Sequence, residues 1–381
     1  MKGHFSRFLS AGRLHVAAHS HHPWPDVTFA AQQQAWFDAA VRHDDKWDHV
    51  FGDVLPQAQR HVARNLGLPD PGTLAFAPNT HEFVVRLLSC LPPRPRVLTT
   101  DAEFLSFTRQ IHRLEEDDLV AVDRVPVEPF ETFPDRFATA AAAGGHDLVF
   151  LSHVMFDSGY VVPDLPALVA AVPDDGTFFV VDGYHGFMAL PTDLGALADR
   201  VFYTAGGYKY AMAGEGVAFL HCPPGYGPRP RDTGWYAGFG HLEEATGEAV
   251  PYAADGSRFL GATFDPSGLY RFNAVQDWLV DVGFDVDAIH SHVRRLQEVF
   301  LARLADDSTP LRPADLVPGT DAPDRGNFLT FRTDRAADLD AALHERGVTV
   351  DHRRDRLRLG FGIYHDEDDL DLLFERLRTI R

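Results

Sequence analysis

Short apolar runs alternate with helical patterns through the middle of the chain. The runs are rich in Val, Phe and Leu and lie at 74–77, 97–100, 120–125, 148–153, 178–182, 201–204 and 217–221. The helical patterns between the early runs lie at 81–90, 106–116, 132–143 and 164–172. Such alternation is typical of βαβ units. It predicts an α/β fold with a seven-stranded, mainly parallel sheet between helices.

The pattern differs on either side of this region. Two helical patterns precede it, at 27–42 and 53–66, and an irregular Gly- and Pro-rich stretch follows at 223–268. A continuous helical pattern then covers about 271–306. The remainder predicts a smaller α+β unit, with strands at 327–332, 348–351 and 356–360 and helices at 335–346 and 366–380.

These patterns suggest a division into three parts. We expect an N-terminal segment over 1–30, a large domain over 31–270 and a small C-terminal domain over 271–381. The helical pattern at 271–306 predicts that a long helix joins the two domains. A chain of 381 residues is long enough for two domains, each with its own apolar core.

Charge and composition narrow the function classes. The chain has 35 Lys and Arg against 55 Asp and Glu, a net charge of −20, which argues against nucleic-acid partners. Short apolar runs broken by Arg7 and Arg13 make a poor signal peptide, and no long uncharged apolar run predicts a membrane span. We therefore expect a cytoplasmic protein. The two cysteines, Cys90 and Cys222, are too few for a disulfide framework or a four-cysteine zinc site.

Lysine is rare, and one lysine has an unusual setting. Only Lys2, Lys46 and Lys209 occur, and arginine cannot serve as a neutral amine nucleophile. Lys2 is terminal and Lys46 lies in a charged run, whereas Lys209 stands among glycines and aromatic residues, with no acid closer in sequence than Glu215. Desolvation without a counter-ion lowers the pKa of an amine, as a Schiff-base lysine requires.

Two other predicted strands end in residues that suit an anionic cofactor. Asn79 follows the first strand and predicts a helix N-cap, with Glu82 completing a capping box; a helix start there offers N–H groups to a phosphate. Asp182 follows two buried valines, where a carboxylate needs a cation or donors. Pyridoxal 5′-phosphate (PLP) needs a phosphate site, an anion beside its pyridine nitrogen and an amine for its aldehyde. The residues together therefore predict a PLP site.

These motifs resemble the fold-type-I PLP-dependent enzymes, within them the class V aminotransferase family, and most closely kynureninases. The resemblance runs from about residue 14 to 376. It is strongest in Asp182-Gly-Tyr-His185, in Tyr208-Lys-Tyr210 and in the following turn Ala213-Gly-Glu-Gly216. It implies a large domain with the seven-stranded sheet, a smaller C-terminal domain and a homodimer.

The resemblance also implies roles for individual residues. Lys209 would hold the cofactor aldehyde as the catalytic residue, and Asp182 would pair with the pyridine nitrogen. Further cofactor contacts are implied at Asn79, Thr80, Phe104, Ser106, Ser152, His185, Tyr208, Trp235 and Thr263, with Thr263 supplied to the partner subunit. Arg358 matches the arginine that binds the substrate α-carboxylate, and its fork suits that task.

The chain departs from kynureninases where the substrate binds. The family's Asn-Ser-Leu-Gly segment is replaced by His19–His22, and we expect Ser20 and His21 to face the substrate, with the N-terminal segment packing on the active site. Phe107 stands where the family has an acid, and Asp157 stands where it has a cation. The histidines at 19, 21 and 22 are better explained by the substrate pocket than by a metal, since a metal site would need further ligands.

The leading hypothesis is therefore a PLP-dependent enzyme acting on an amino acid, kynureninase-like in cleaving a C–C bond but with an altered substrate pocket. The alternative is a class V aminotransferase. A cysteine desulfurase is disfavoured because neither cysteine lies in a predicted flexible loop. A non-catalytic PLP-binding protein is disfavoured because Lys209 and Arg358 are both kept. A nucleotide-binding dehydrogenase would need Gly-x-Gly-x-x-Gly after the first strand, which is absent.

Overall fold

A computed structural model describes residues 1–9, 12–173, 176–238 and 249–380. Its α-helices are α1 (Val27–Arg42), α2 (Lys46–His49), α3 (Leu55–Leu66), α4 (Thr80–Cys90), α5 (Leu105–Glu116), α6 (Phe133–Ala142), α7 (Leu165–Ala171), α8 (Ser267–Asp281), α9 (Val286–Asp306), α10 (Ala336–Glu345) and α11 (Glu367–Arg378). None of the helices within these ranges combines the length and the apolar character that a membrane crossing requires.

Seven strands form one large sheet. All strands of the structure are β1 (Leu14–His15), β2 (Leu74–Ala77), β3 (Arg96–Thr100), β4 (Ala121–Val125), β5 (Leu148–Ser152), β6 (Phe178–Asp182), β7 (Val201–Gly206), β8 (Ala218–His221), β9 (Phe328–Arg332), β10 (Val348–Thr349), β11 (Asp351–Arg353) and β12 (Arg356–Gly360). The large sheet has the order β2-β8-β7-β6-β5-β3-β4, and only β8 runs antiparallel to its neighbours. The predicted seven-stranded, mainly parallel sheet is confirmed.

Helices cover both faces of this sheet, which explains why its strands are apolar without alternation. Strands β5 and β7 are buried along their whole length. On one face they pack with residues of α3, α6, α7 and α8, and on the other with residues of α4 and α5. Strands buried on both faces are expected to be apolar at every position.

The C-terminal part contains a small antiparallel sheet in the order β11-β12-β9. It packs with α9, α10 and α11 around a separate apolar core, as the predicted α+β unit requires. The strand expected over 348–351 is divided, because β10 pairs in parallel with β1 whereas β11 pairs with β12. The N-terminal Leu14 and Val16 belong to this small core, so the N-terminal segment is attached to the C-terminal part.

The single long helix expected over 271–306 is a wrong prediction, since the structure has two helices there. Helix α8 begins earlier, at Ser267, and ends at Asp281; Gly283 follows with a φ of +68°, a conformation that glycine adopts without strain. The Asp285 side chain then accepts a hydrogen bond from the backbone N–H of Ala288 and caps α9. The 3.6-residue hydrophobic period correctly predicts helix on both sides of this break, but it does not predict the break itself.

Candidate active site

The carboxyl ends of three adjacent parallel strands define the centre of the site. In the register of the sheet, Ser152 of β5 lies beside Asp182 of β6, and Asp182 lies beside Thr204 of β7. Parallel strands end at the same edge, where open α/β sheets bind their ligands. The loop after β7 places Lys209 at this edge.

Lys209 is enclosed by aromatic rings and one imidazole. Its side chain is only 4% exposed. Its Nζ lies 2.9 Å from Nε2 of His185, and 4.7, 5.2 and 5.5 Å from the ring centres of Tyr184, Phe104 and Tyr208. Burial lowers the pKa of Lys209 to about 7; the charge of Arg358 acts in the same direction and that of Asp182 against it. Near neutral pH a substantial fraction of this amine is therefore unprotonated and nucleophilic.

His185 is also held in its neutral form. Burial lowers its pKa well below the ordinary value, and the nearby charges of Lys209 and Arg358 add to this effect. Its Nε2 meets Lys209, while its buried Nδ1 has no hydrogen-bond partner among the described residues. A buried polar atom without a partner is uncommon in folded proteins and indicates a place for a ligand atom.

Asp182 supplies the negative charge of the site. One of its carboxylate oxygens accepts the backbone N–H of Tyr184 at 2.9 Å, and burial raises the pKa of the carboxyl. A carboxylate in such a position can accept several hydrogen bonds, so it retains capacity for a cationic ring nitrogen. The residue lies where the sequence placed it, at the end of β6.

The Tyr184 ring can lie beside Lys209 because Gly206 has no side chain. A Cβ at Gly206 would lie 2.2 Å from the Tyr184 hydroxyl oxygen, so no other residue fits there without displacing the ring. The Tyr184 and Tyr208 rings are 4.8 Å apart, and both border Lys209. Tyr184 lies inside the motif between Asp182 and His185 but was not among the predicted site residues.

Glu103 is a second residue that sequence analysis missed. It is buried, and its carboxyl accepts hydrogen bonds from the hydroxyls of Ser152, at 2.5 Å, and Thr100, at 2.8 Å. Burial raises the pKa of Glu103 to about 7. The hydroxyl of Ser152, expected to contact the cofactor, thus donates to Glu103. The sequence feature that could have indicated Glu103 is an acidic residue directly before Phe104, shortly after the buried strand β3.

Arg358 projects towards the same cluster from the small sheet. Its Nε and Nη2 donate to the two carboxylate oxygens of Asp351 at 2.8 and 2.5 Å, and its Nη1 donates to the backbone carbonyl of Phe156. Asp351 and Arg358 face each other across β11 and β12. Asp351 was not among the predicted site residues, although two strand patterns separated by a short turn are typical of such a hairpin pair.

The N-terminal segment reaches the site through its backbone and its histidines. The N–H of His22 donates to the carbonyl of Tyr208 at 3.0 Å, and the His21 ring stacks on the Tyr208 ring at 5.1 Å. His21 is exposed, and Ser20, half-buried, is hydrogen-bonded to it. His19 is fully buried and bonds to Asp351. Within the described ranges, no group of three or more His, Cys, Asp or Glu side chains is arranged to hold a metal ion.

Three of the expected cofactor contacts lie at the starts of α4 and α5. Asn79 accepts the backbone N–H of Glu82 at 3.1 Å, so its N-cap role is confirmed. The full capping box is not formed, because the Glu82 side chain bonds to Arg86 instead. Thr80 is the first residue of α4, and Ser106 lies exposed in the first turn of α5. Ser106 lines an open cavity of about 790 Å³.

Trp235 and Thr263 lie together on the surface. Nε1 of Trp235 donates to the Thr263 hydroxyl at 3.3 Å, and the Trp235 side chain is 44% exposed. The Trp235 ring also stacks on the Tyr236 ring, with ring centres 4.2 Å apart. The contribution of Thr263 to a partner subunit stays a prediction.

The residues present fit a bound PLP. The site combines a buried amine with a depressed pKa, a carboxylate at the adjacent strand end, and an imidazole nitrogen that lacks a partner. Phe104 lies next to the amine, with its ring centre 5.2 Å from Nζ of Lys209. This chemistry on a seven-stranded α/β sheet is that of a fold-type-I PLP-dependent enzyme.

Comparison with known proteins agrees with that class. Residues 14–373 match the class-V aminotransferase family, and the chain belongs to it; PLP is its cofactor. The isopenicillin N epimerase of Streptomyces clavuligerus is 29% identical over 360 residues, 86% of this chain and 84% of the relative. The kynureninase of Deinococcus radiodurans is 30% identical over 218 residues, 56% and 52% of the two chains. The likeness to kynureninase thus covers a shorter part of the chain than the likeness to the epimerase.

A solved structure shares the whole fold. A mutant of C-DES, with glycine covalently linked to its PLP cofactor, superposes with a TM-score of 0.82 at 18% identity, covering 100% of both chains. C-DES is a cystine C–S lyase. At this identity the likeness establishes the fold alone, and it confirms the predicted fold class.

Proposed function

We propose that this protein holds PLP at Lys209 and transfers the α-proton of a free amino acid whose carboxylate is bound by Arg358. One observation carries the proposal: Lys209 is a buried amine with a pKa of about 7 at the carboxyl edge of the sheet, beside Asp182 and His185. An amine in this state can attack an aldehyde and can later accept a proton near neutral pH.

PLP, when bound, supplies an aldehyde for the amino group and a ring that withdraws electrons from Cα. The residues of this chain supply the rest. Asp182 places a negative charge at the end of β6, where it favours a protonated ring nitrogen. The rings of Phe104, Tyr184 and Tyr208 exclude water from Lys209, which keeps its amine available as a base.

Arg358 has the donors that a carboxylate requires. A guanidinium carries five N–H hydrogens. Asp351 takes one from Nε and one from Nη2, and the Phe156 carbonyl takes one from Nη1. One hydrogen therefore remains on each terminal nitrogen, a pair that suits the two oxygens of a carboxylate.

The names of the relatives suggest different reactions after this shared step. We retain C–C bond hydrolysis of the kynureninase type, with an altered pocket, as the first candidate. The second candidate is epimerisation, in which a proton returns to Cα. The alignment with the epimerase, which covers more of the chain, favours it, and this reaction needs only proton exchange. Transamination is the third. Persulfide chemistry is disfavoured because burial raises the pKa of the thiols of Cys90, to about 12, and Cys222, leaving neither as a thiolate.

Deuterium exchange at Cα tests the shared step without knowing the substrate. The PLP-loaded protein is incubated in D₂O with single L-amino acids, including L-kynurenine, and loss of the Cα proton signal is followed by NMR. We expect exchange with at least one amino acid in the wild type and in Lys46→Ala, and exchange slower by about 10²–10⁴-fold in Lys209→Ala. Absence of exchange with the whole panel would contradict the proposal.

The products of the same incubations separate the reactions. Anthranilate with alanine identifies kynureninase-type hydrolysis, a D-amino acid identifies epimerisation, and a 2-oxo acid identifies transamination. Chiral chromatography of each mixture distinguishes these outcomes in one measurement.

A further inference from the structure

His19, Asp351 and Arg358 form a continuous chain of hydrogen bonds beside the lysine. Nε2 of His19 lies 3.0 Å from Oδ1 of Asp351, and that same oxygen accepts the Nε hydrogen of Arg358 at 2.8 Å. The second Asp351 oxygen accepts Nη2 of Arg358 at 2.5 Å. The His19 and Arg358 side chains are almost fully buried, and that of Asp351 is 15% exposed.

The protonation states give each hydrogen bond a direction. Burial opposes charge on Asp351, but the hydrogen bond from His19 and the charge of Arg358 outweigh it and hold the pKa of Asp351 well below its ordinary value. Burial lowers the pKa of His19 to about 4, so its ring is neutral at pH 7. A neutral imidazole facing a carboxylate donates, so His19 carries its proton on Nε2.

The position of the His19 ring is fixed from two further sides. It stacks on Phe328 of β9, with ring centres 4.7 Å apart. Its Nδ1 lies so close to Gly360 that a Cβ there would be 2.1 Å away. Tight packing leaves the imidazole one orientation, with Nε2 towards Asp351. The N-terminal segment therefore fixes an ion pair of the small sheet.

We infer that His19 and Asp351 are positioning residues that orient Arg358 for the α-carboxylate of the substrate. The inference rests on the proposed function, in which Arg358 binds that carboxylate. Asp351 occupies the Nε side of the guanidinium, and together with the Phe156 carbonyl on Nη1 it leaves one hydrogen on each terminal nitrogen. A long arginine side chain loses much rotamer freedom when it is fixed. The hydrogen bonds from His19 through Asp351 already fix the Arg358 side chain in the folded protein, before the substrate binds.

Arg358 has a second reason to be held in place. Its charge lowers the pKa of Lys209 and of His185, so the guanidinium lies within electrostatic reach of both. An arginine that turned away would relax this effect as well as losing the carboxylate. Phe156 and Phe328 flank the guanidinium, each ring centre 5.8 Å from Cζ, which limits its hydration.

The test compares ligands that differ only in the carboxylate. L-alanine is paired with ethylamine, and L-phenylalanine with 2-phenylethylamine. Dissociation constants are taken from the absorbance change of the PLP-loaded protein, and propionate binding to the cofactor-free protein is measured by calorimetry. The variants are Asp351→Asn, His19→Leu and His19→Gln, whose amide can donate from a position near Nε2.

A second imidazole–carboxylate pair in the same small domain supplies matched controls. Nδ1 of His352 lies 2.6 Å from Oδ2 of Asp340, and the described contacts of Asp340 include no arginine. Asp340→Asn and His352→Leu therefore remove the same type of interaction from a nearby place. Neither is expected to change the preference for the carboxylate ligands.

We expect Asp351→Asn and His19→Leu to raise the dissociation constants of the amino acids and of propionate about tenfold, the loss typical of a hydrogen bond to a charged group. The dissociation constants of the amines should not change. His19→Gln should recover most of the difference. Equal weakening of amino acid and amine, or tighter carboxylate binding in Asp351→Asn because Asp351 competes with the substrate, would overturn the inference. A wild type that binds alanine no better than ethylamine would overturn the role of Arg358 in the proposed function as well.

Discussion

The proposed site has a cofactor half and a substrate half, and the two halves are built in different ways. The cofactor half comes from loops that follow adjacent strands of one sheet: Asp182, His185 and Lys209 lie within 28 positions of one another. The substrate half joins three segments that are distant in sequence. His19 comes from the N-terminal segment, Phe156 from the loop after β5 of the large sheet, and Asp351 and Arg358 from a hairpin of the small sheet. The first half follows from strand order alone, whereas the second depends on how separate units pack together.

The halves also differ in electrostatics. In the cofactor half, burial moves Lys209 and His185 towards their neutral forms. In the substrate half, an arginine and an aspartate remain charged because each neutralises the other. A buried amine without a charged partner thus becomes a neutral nucleophile. A buried arginine that is paired with a carboxylate stays charged and can bind an anion. The following variants test this contrast.

The largest expected effect is at the centre of the cofactor half. Lys209→Ala should abolish covalent capture of PLP and lower Cα proton exchange by about 10²–10⁴-fold, the contribution typical of a positioned base. Borohydride reduction followed by peptide mapping and NMR exchange measure the two effects. Lys46→Ala is the control, and should retain both properties. Capture of PLP on another lysine would show that the cofactor half has been placed wrongly.

Asp182→Asn tests the electrostatic balance around the amine. The charge of Asp182 raises the pKa of Lys209 against burial, so its removal should lower that pKa further below about 7. The rate at which the cofactor-free protein captures PLP should then reach half its plateau at a lower pH than in the wild type. Asp123→Asn, on β4 and paired with His146, serves as the control. An unchanged or higher midpoint would mean that Asp182 does not act on this amine.

Glu103→Gln tests a buried acid of the cofactor half through stability. The pKa of Glu103 rises from 4.5 to about 7 on folding, so the folded state keeps a proton that the unfolded state has lost between these values. Stability should therefore fall as pH rises through this window, by about 1–3 kcal/mol. Glu103→Gln should remove this slope, as measured by urea unfolding at several pH values. A slope that survives in the variant would assign it to other groups.

The smallest effect is expected at ion pairs between the segment that follows β4 and the small sheet. Glu128 accepts hydrogen bonds from Arg332 and Arg356, and its side chain is 41% exposed. Because solvent screens such pairs, Glu128→Gln should destabilise the protein by about 1 kcal/mol or less. Urea unfolding measures this. A larger loss, with weaker binding of L-alanine but not of ethylamine, would mean that these pairs also support the substrate half.

Much of the fold could be predicted from local patterns. All seven strands of the large sheet were located within two residues at either end, because strands buried on both faces form continuous apolar runs. Patterns could not show the break at Gly283, since a single left-handed residue leaves the helical period on either side unchanged. They also could not show that the expected strand at 348–351 is shared between two sheets, because pairing partners are chosen by long-range packing.

The same division holds for the site. The aromatic setting of Lys209 was visible in part, because Tyr208 lies beside it both in sequence and in space. The other two rings that border the amine, those of Tyr184 and Phe104, come from other segments of the chain. The roles proposed for Ser152 and Arg358 came only from the family resemblance. Their actual partners, Glu103 and Asp351, are recognised once the strands are paired.

By itself, the sequence determined the α/β class and the PLP cofactor and pointed to Lys209 as the lysine proposed to hold it, because each signal lies within a short segment of the chain. Only the tertiary structure decided how the substrate half is arranged. His19 and Asp351 are more than 300 residues apart, and nothing local relates them. Their contact exists because β1 joins the small domain and the packed rings of His19 and Phe328 leave one orientation for the imidazole. Such specificity comes from packing between distant segments, which no local pattern encodes.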